Sequence, residues 1–190
     1  MRLFINLFVI VMLTITFVGR VNTRSANKPS LLERISSGTV VYNKEFYSDI
    51  AQVMGAKYDF NWKWLYGIWM REALILSNDP DVRGDRKVLE NGKVVWLAHG
   101  VGQVHLKSAR AHYDKNITSE QLMNPITNAN ASAKIFSDYL KLFNYDYEYA
   151  VAAYNAGPAR IRPYATKNMR PFNYTDYVKD VIEYSQIGNG

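Results

Sequence analysis

From Asn43 onward the apolar residues return every three or four positions, which is the period of amphipathic helices. Phe46, Ile50, Val53 and Met54 predict a first helix, with Gly55 near its stop. Asn61 suits an N-cap, and Trp62, Leu65, Tyr66, Trp69 and Ala73 follow on one side of a second helix. Glu72 stands three residues after Trp69, beside that apolar stripe. The period breaks after Ser77. Asn78-Asp79-Pro80-Asp81 and Gly84-Asp85 are turn chemistry, and Asn91-Gly92 separates Val88-Leu89 from Val94-Val95-Trp96, which predicts a small hairpin. Helical spacing resumes from Val104 to Tyr113, then briefly at Thr118/Ser119. A longer helix opens at Asn124-Pro125 and runs through Ile135, Phe136, Tyr139 and Leu140 to Phe143. Another runs from Asp146 to Ala156, stopped by Gly157-Pro158, and a last one starts at Asn173 or Thr175 and carries Tyr177, Val178, Val181 and Ile182. The expected fold class is mainly α with one small β-hairpin.

The first residues follow a different pattern. Leu3 to Val18 is apolar and uncharged, as a signal-peptide core or a short membrane span is. It lacks the polar face of a buried amphipathic helix, so residues 1–19 are expected to be a signal peptide or membrane anchor. No small-x-small cleavage site stands out near Val18-Gly19, and Arg20, Arg24 and Lys28 lie on its far side, against the usual orientation of export. Residues 20–42 are polar, with Pro29 and Gly38, and are expected to form a linker; residues 43–190 form the single folded domain. No internal repeat is visible.

Composition narrows the chemistry. The chain has no cysteine, which excludes disulfides, thiolate metal sites and a cysteine nucleophile. A net charge of +6 favours an anionic partner such as nucleic acid, a membrane surface or a cell-wall polymer. No dense Arg/Lys tract supports nucleic acid, which is not expected as a partner. The aromatic share of 14% serves cores and sugar-stacking surfaces alike and decides neither.

Phosphate loops, HExxH and calcium-loop patterns are absent from the sequence. His99, His105 and His112 are spaced poorly for a shared metal, so neither metal nor cofactor is expected. Glu72 is the ionisable group of interest. A carboxyl set against aromatic rings loses solvation, which favours its neutral form and suits a general acid. A solvated carboxylate paired with Arg71 or another cation explains the same residue more simply, and on the residues alone that reading is preferred.

Four separated segments change that balance. After Glu72 come Ala98-His99-Gly100-Val101-Gly102-Gln103-Val104, then Asn124-Pro125-Ile126-Thr127-Asn128, then Ala152-Ala153-Tyr154-Asn155-Ala156-Gly157-Pro158. In this order they resemble the soluble lytic transglycosylase family, whose pattern is a catalytic Glu, G-A-x-G-L-M-Q, D-P-x-x-N and A-Y-N-A-G-P. The resemblance covers about residues 43 to 185. It implies a lysozyme-like α-helical domain, with Glu72 as the catalytic residue and Tyr154 close to it, orienting it. It further implies that Gln103, Asn155 and Tyr177 contact the sugars, and that Gly100 and Gly102 let the backbone approach the saccharide. The chain departs from the family in several places. Ala73 stands where Ser usually follows the Glu, and Val101-Gly102 stands for Leu-Met, which removes a side chain from the expected groove. Of the Glu-Thr-x-x-Tyr-Val element, Tyr177-Val178 alone remain.

The resemblance implies non-hydrolytic cleavage of the β-1,4 bond between N-acetylmuramic acid and N-acetylglucosamine, with 1,6-anhydromuramyl ends as product. The partners are then peptidoglycan glycan strands, and the membrane if the N-terminal segment is uncleaved. The location is the cell envelope, or the virion if a phage encodes the chain. Two alternatives differ in class: hydrolysis of the same bond as in goose-type lysozymes, using Asp79, Asp81 or Asp85 to place a water, and a non-catalytic glycan-binding envelope or virion protein.

Overall fold

The computed structural model describes residue 33 and residues 42–74, 86–88, 94–170 and 175–186, with the backbone alone at 86–88, 94–96 and 175. The chain divides between Thr39 and Val40, and the fold below is that of the second unit. The expected signal or anchor, most of the linker, the Asp79–Asp85 turns and the Asn91-Gly92 turn lie outside the described residues.

Helix α1, Lys44–Tyr58, begins where Asn43 accepts a hydrogen bond from the Phe46 N–H at 2.9 Å. Phe46, Ile50 and Met54 face the core, whereas Val53 is 43% exposed. Gly55 does not stop the helix. A Cβ there would lie 2.6 Å from the Trp62 Cβ, so the glycine marks where the next helix crosses closely. The stop comes at Asp59, in the left-handed region at φ 58°, whose N–H reaches back to the Gly55 carbonyl.

Helix α2, Trp62–Trp69, is capped by Asn61 as the sequence suggests. Its last turn continues not as α-helix but as a π-turn, Met70–Leu74. Strands β1, Arg86–Val88, and β2, Val94–Trp96, pair antiparallel with Lys87 opposite Val95. Helices α3, Leu106–His112, and α4, Ser119–Leu122, follow; Thr118 and Gln121 form a capping box at the start of α4. Helix α5, Pro125–Leu142, is the longest of the described elements, and Asn124 caps it through the N–H groups of Ile126 and Thr127.

Helix α6, Tyr147–Ala156, ends at Gly157. The sequence reads Gly157-Pro158 as a stop, but a further helix, α7, Pro158–Thr166, starts there at once. Gly157 takes φ 86°, which turns the chain, and Pro158 occupies the first turn, where its missing N–H costs nothing. Helix α8, Thr175–Gln186, closes the domain.

The core is built around α2. Leu65, Ile68 and Trp69 have no accessible surface, and α1, α6 and α8 all pack against this helix. Gly67 allows the closest approach. A Cβ there would lie 2.5 Å from the Val181 carbonyl oxygen of α8, so the two backbones nearly touch. That contact brings the first turn of α8 to the end of α2, where Glu72 sits. Helix α5 packs on α1, α3, α4 and α6 and forms the floor on the other side.

Candidate active site

Glu72 lies in the middle of the π-turn, half-buried between the buried residues Met70 and Ala73. Met, Arg, Glu, Ala and Leu are all strong α-helix formers, so local preference does not make this turn. Its wider i→i+5 loop re-aims the side chains relative to the stripe that Trp62, Leu65, Tyr66 and Trp69 define. Such turns recur where a helix must present a functional side chain.

Two tyrosines meet at this carboxylate from different helices. Tyr177 of α8 donates its hydroxyl to Glu72 Oε1 at 2.5 Å. Only 8% of Tyr177 is exposed, and the Arg71 guanidinium lies 5.7 Å from its ring centre. Burial, and then the Glu72 charge, hold the Tyr177 phenol well above its usual pKa, so it stays a donor. Tyr154 of α6 is pushed up in the same way, by burial first and by the Glu72 charge second. Its own proton goes elsewhere: the Tyr154 hydroxyl donates to the Gly102 carbonyl at 2.7 Å. The sequence points to Tyr154 as the residue that orients Glu72. In the fold Tyr177 makes the direct bond, and Tyr154 joins Glu72's surroundings to the glycine loop.

That loop, residues 98–104, is shaped by its glycines and held from beneath. Gly100 is left-handed at φ 59°, and a Cβ there would fall 2.5 Å from Asn128 Cγ. Gln103 is also left-handed, at φ 45°, and its side-chain amide donates to the Gly100 carbonyl at 2.9 Å. Gly102 is buried, and a Cβ on it would lie 2.5 Å from Ser132 Cβ and 3.0 Å from the Tyr154 hydroxyl. The sequence comparison suggests a side chain missing from the groove at this position. No such gap exists, because Ser132 and Tyr154 fill it.

Asn128 is the support of the loop. It is fully buried in α5, accepts from the Gly102 N–H at 2.9 Å, and donates to the carbonyls of His99 at 2.7 Å and Leu122 at 3.0 Å. One turn further along, Ser132 accepts from the Trp69 indole N–H at 3.0 Å, which links the floor to α2. Neither Asn128 nor Ser132 is a site residue in the sequence reading, although Asn128 ends the Asn124-Pro125-Ile126-Thr127-Asn128 motif quoted for it. Ser132 has no signal beyond being a polar residue on an otherwise apolar helix side.

The expected residues therefore fall into groups. Glu72 and Tyr177 touch, and Tyr154 is coupled to both through charge. Gly100, Gly102 and Gln103 form one loop joined to Tyr154. Asn155 is exposed at the last turn of α6 and follows Tyr154 in sequence. The arrangement is a carboxylate bonded by the Tyr177 hydroxyl, with the Tyr154 phenol close enough to feel its charge.

Residues 49–175 match the family model described as the transglycosylase SLT domain. Among solved structures, the chain is similar to an inactive mutant of the lytic transglycosylase Slt from Pseudomonas aeruginosa, with 22% sequence identity and a TM-score of 0.56. The match covers 72% of this chain and 23% of that one, so this chain spans only a fraction of that protein's length. At this identity the likeness is one of fold. No curated protein matches the sequence.

Proposed function

This chain belongs to the transglycosylase SLT domain family, and from that premise we propose that it is a peptidoglycan lytic transglycosylase in which Glu72 is the catalytic acid and base. The observation that carries the reading is the hydrogen bond from Tyr177 to Glu72, which holds the carboxylate in place in the π-turn after α2.

In this reading Glu72 first protonates the oxygen between N-acetylmuramic acid and N-acetylglucosamine. The C1–O bond breaks, and the substrate's own N-acetyl group stabilises the positive charge at C1. Glu72, now a carboxylate, then takes the proton of the muramyl C6 hydroxyl, whose oxygen bonds to C1. Acid and base are thus one residue used twice. Ordinary glycosidases need a second carboxyl group to bring in water or to attack. A hydroxyl of the same sugar has a high effective molarity and makes that second group unnecessary. Tyr177 stabilises the anion between the two proton transfers and fixes its direction. The half-buried Gln103 faces the acetamido and hydroxyl groups of the strand, the buried Gly100 and Gly102 shape the loop that carries it, and Asn155 adds a polar contact at the rim. The same reading makes the N-terminal apolar segment a signal or anchor that puts the domain in the cell envelope, and joins β1 and β2 into one small hairpin.

Mass spectrometry of sacculi digested by the protein tests this directly. The expected products carry 1,6-anhydromuramyl ends, and Glu72→Gln yields none. Reducing muramyl ends would make the protein a hydrolase, and strand binding without any product from the unaltered protein would make it a glycan-binding module.

A further inference from the structure

The loop of residues 98–104 contains one buried titratable side chain, which the proposed reaction does not use. The His99 imidazole has no accessible surface, and its Nδ1 lies 2.9 Å from the Val104 carbonyl oxygen. A carbonyl only accepts, so Nδ1 carries the proton of the neutral ring. The Val104 N–H bonds back to the His99 carbonyl at 2.9 Å, and these two residues close the neck of the loop from both sides. Within the neck, Asn128 holds Gly102 N–H and Tyr154 holds Gly102 O.

The other ring nitrogen, Nε2, is buried without a hydrogen-bond partner. A second proton has nowhere else to go. It would create a buried charge and a buried N–H with no acceptor, each of them costly. Among the described residues, the groups facing the loop do not relieve that cost. Asn128 and Ser132 of α5 are uncharged, Tyr154 of α6 is a neutral phenol, and His105 at the N-cap of α3 adds a charge of the same sign when protonated. Burial holds the His99 pKa below its ordinary 6.5, partly offset by the Val104 carbonyl.

We propose that His99 is a positioning residue that closes the glycine loop while it is neutral, and that its protonation opens the neck and weakens glycan binding. The binding half of this inference rests on the reading of the loop as substrate-facing; the coupling between ring and loop does not.

The test uses Glu72→Gln protein, so that glycan strands bind without being cut. A pH titration by NMR follows the three histidine rings and the backbone amides of Gly102 and Val104, and binding of soluble uncrosslinked glycan strands is measured over the same range. His99 should titrate below 6.5, with both amides moving at its midpoint. Strand affinity should fall about tenfold per pH unit below that midpoint, since only the closed fraction binds. In His99→Asn the amide N–H replaces the Nδ1–H but cannot titrate, and affinity should be flat over this range. His99→Leu, which lacks the donor, should bind more weakly at every pH. Amides that ignore the His99 midpoint overturn the proposal, as does a His99→Asn variant with the parent's pH dependence. If either variant fails to fold, the ring and amide titration decides alone. Absence of strand binding at every pH overturns the binding half while leaving the loop coupling readable. Sacculus clearing that survives Glu72→Gln removes the catalytic reading but not the titration.

Discussion

A single hydrogen bond is the smallest unit of this site. The Tyr177 donor faces a carboxylate, and bonds to charged groups contribute about 1.5–3 kcal/mol. Tyr177→Phe should therefore lower the turnover of sacculus digestion by about tenfold to a hundredfold, with the fold retained. Substrate affinity should change less, because the hydroxyl acts on Glu72 and not on the sugar. Asn128 acts differently. Asn128→Ala strands the Gly102 N–H and the Leu122 carbonyl in the interior, at about 1–3 kcal/mol each, and takes one of two donors from the His99 carbonyl, which keeps the Val104 N–H. Urea unfolding should show a loss of about 3 kcal/mol or more, with activity lost as a consequence. By contrast, Arg71 and Asp180 pair at 2.7 Å while each side chain is more than a third exposed, so a double-mutant cycle on the pair should give a coupling of no more than about 1 kcal/mol.

At the scale of elements, the site depends on how α8 lies against α2. Gly67 is the contact that sets their separation, and Gly67→Ala puts a methyl carbon 2.5 Å from the Val181 carbonyl oxygen. One of the two backbones must move. The expected cost is about 1–3 kcal/mol in thermal or urea unfolding. Activity should fall further than stability alone explains, because Tyr177 rides on α8 and withdraws from Glu72 with it. The π-turn is a second case. Nothing in Met70–Leu74 opposes an α-helix, so the turn is imposed by what α2 packs against. Such a feature cannot be read from a helical wheel. The same holds for Gly157, where the sequence signals the end of α6 but not the immediate start of α7.

Across the whole molecule, buried phenols set the response to alkali. Tyr154 and Tyr177 are held well above the ordinary value of 10.0, Tyr58 is pushed up to about 12, and Tyr66, Tyr113 and Tyr139 are raised as well. A phenol with a raised folded pKa keeps its full contribution below 10.0 and loses it as pH rises toward the folded value. Above that point the unfolded chain binds fewer protons than the folded one. These groups should leave urea-unfolding stability flat in pH up to about 10 and lower it steeply beyond. In Tyr177→Phe that alkaline slope should be shallower by one proton. A parent and variant with equal slopes would mean that Tyr177 is not protected in the fold.

The sequence by itself determined a good deal of this protein. Helical periodicity placed α1, α2, α5, α6 and α8, and the caps at Asn43, Asn61, Thr118, Asn124 and Asp146 are short-range contacts that three or four residues specify. The order of Glu72, Gln103, Tyr154 and Asn155 was sufficient to point to the family. What the tertiary structure decided is every relation between distant segments. Tyr177 lies 105 residues from Glu72, and Tyr154 lies 52 residues from Gly102. No local signal encodes those distances. They follow from the close crossing at Gly67, from Asn128 beneath the loop, and from a π-turn in a run of good α-helix formers. Each of these depends on what lies on the other side of the contact, and there the one-dimensional pattern is silent.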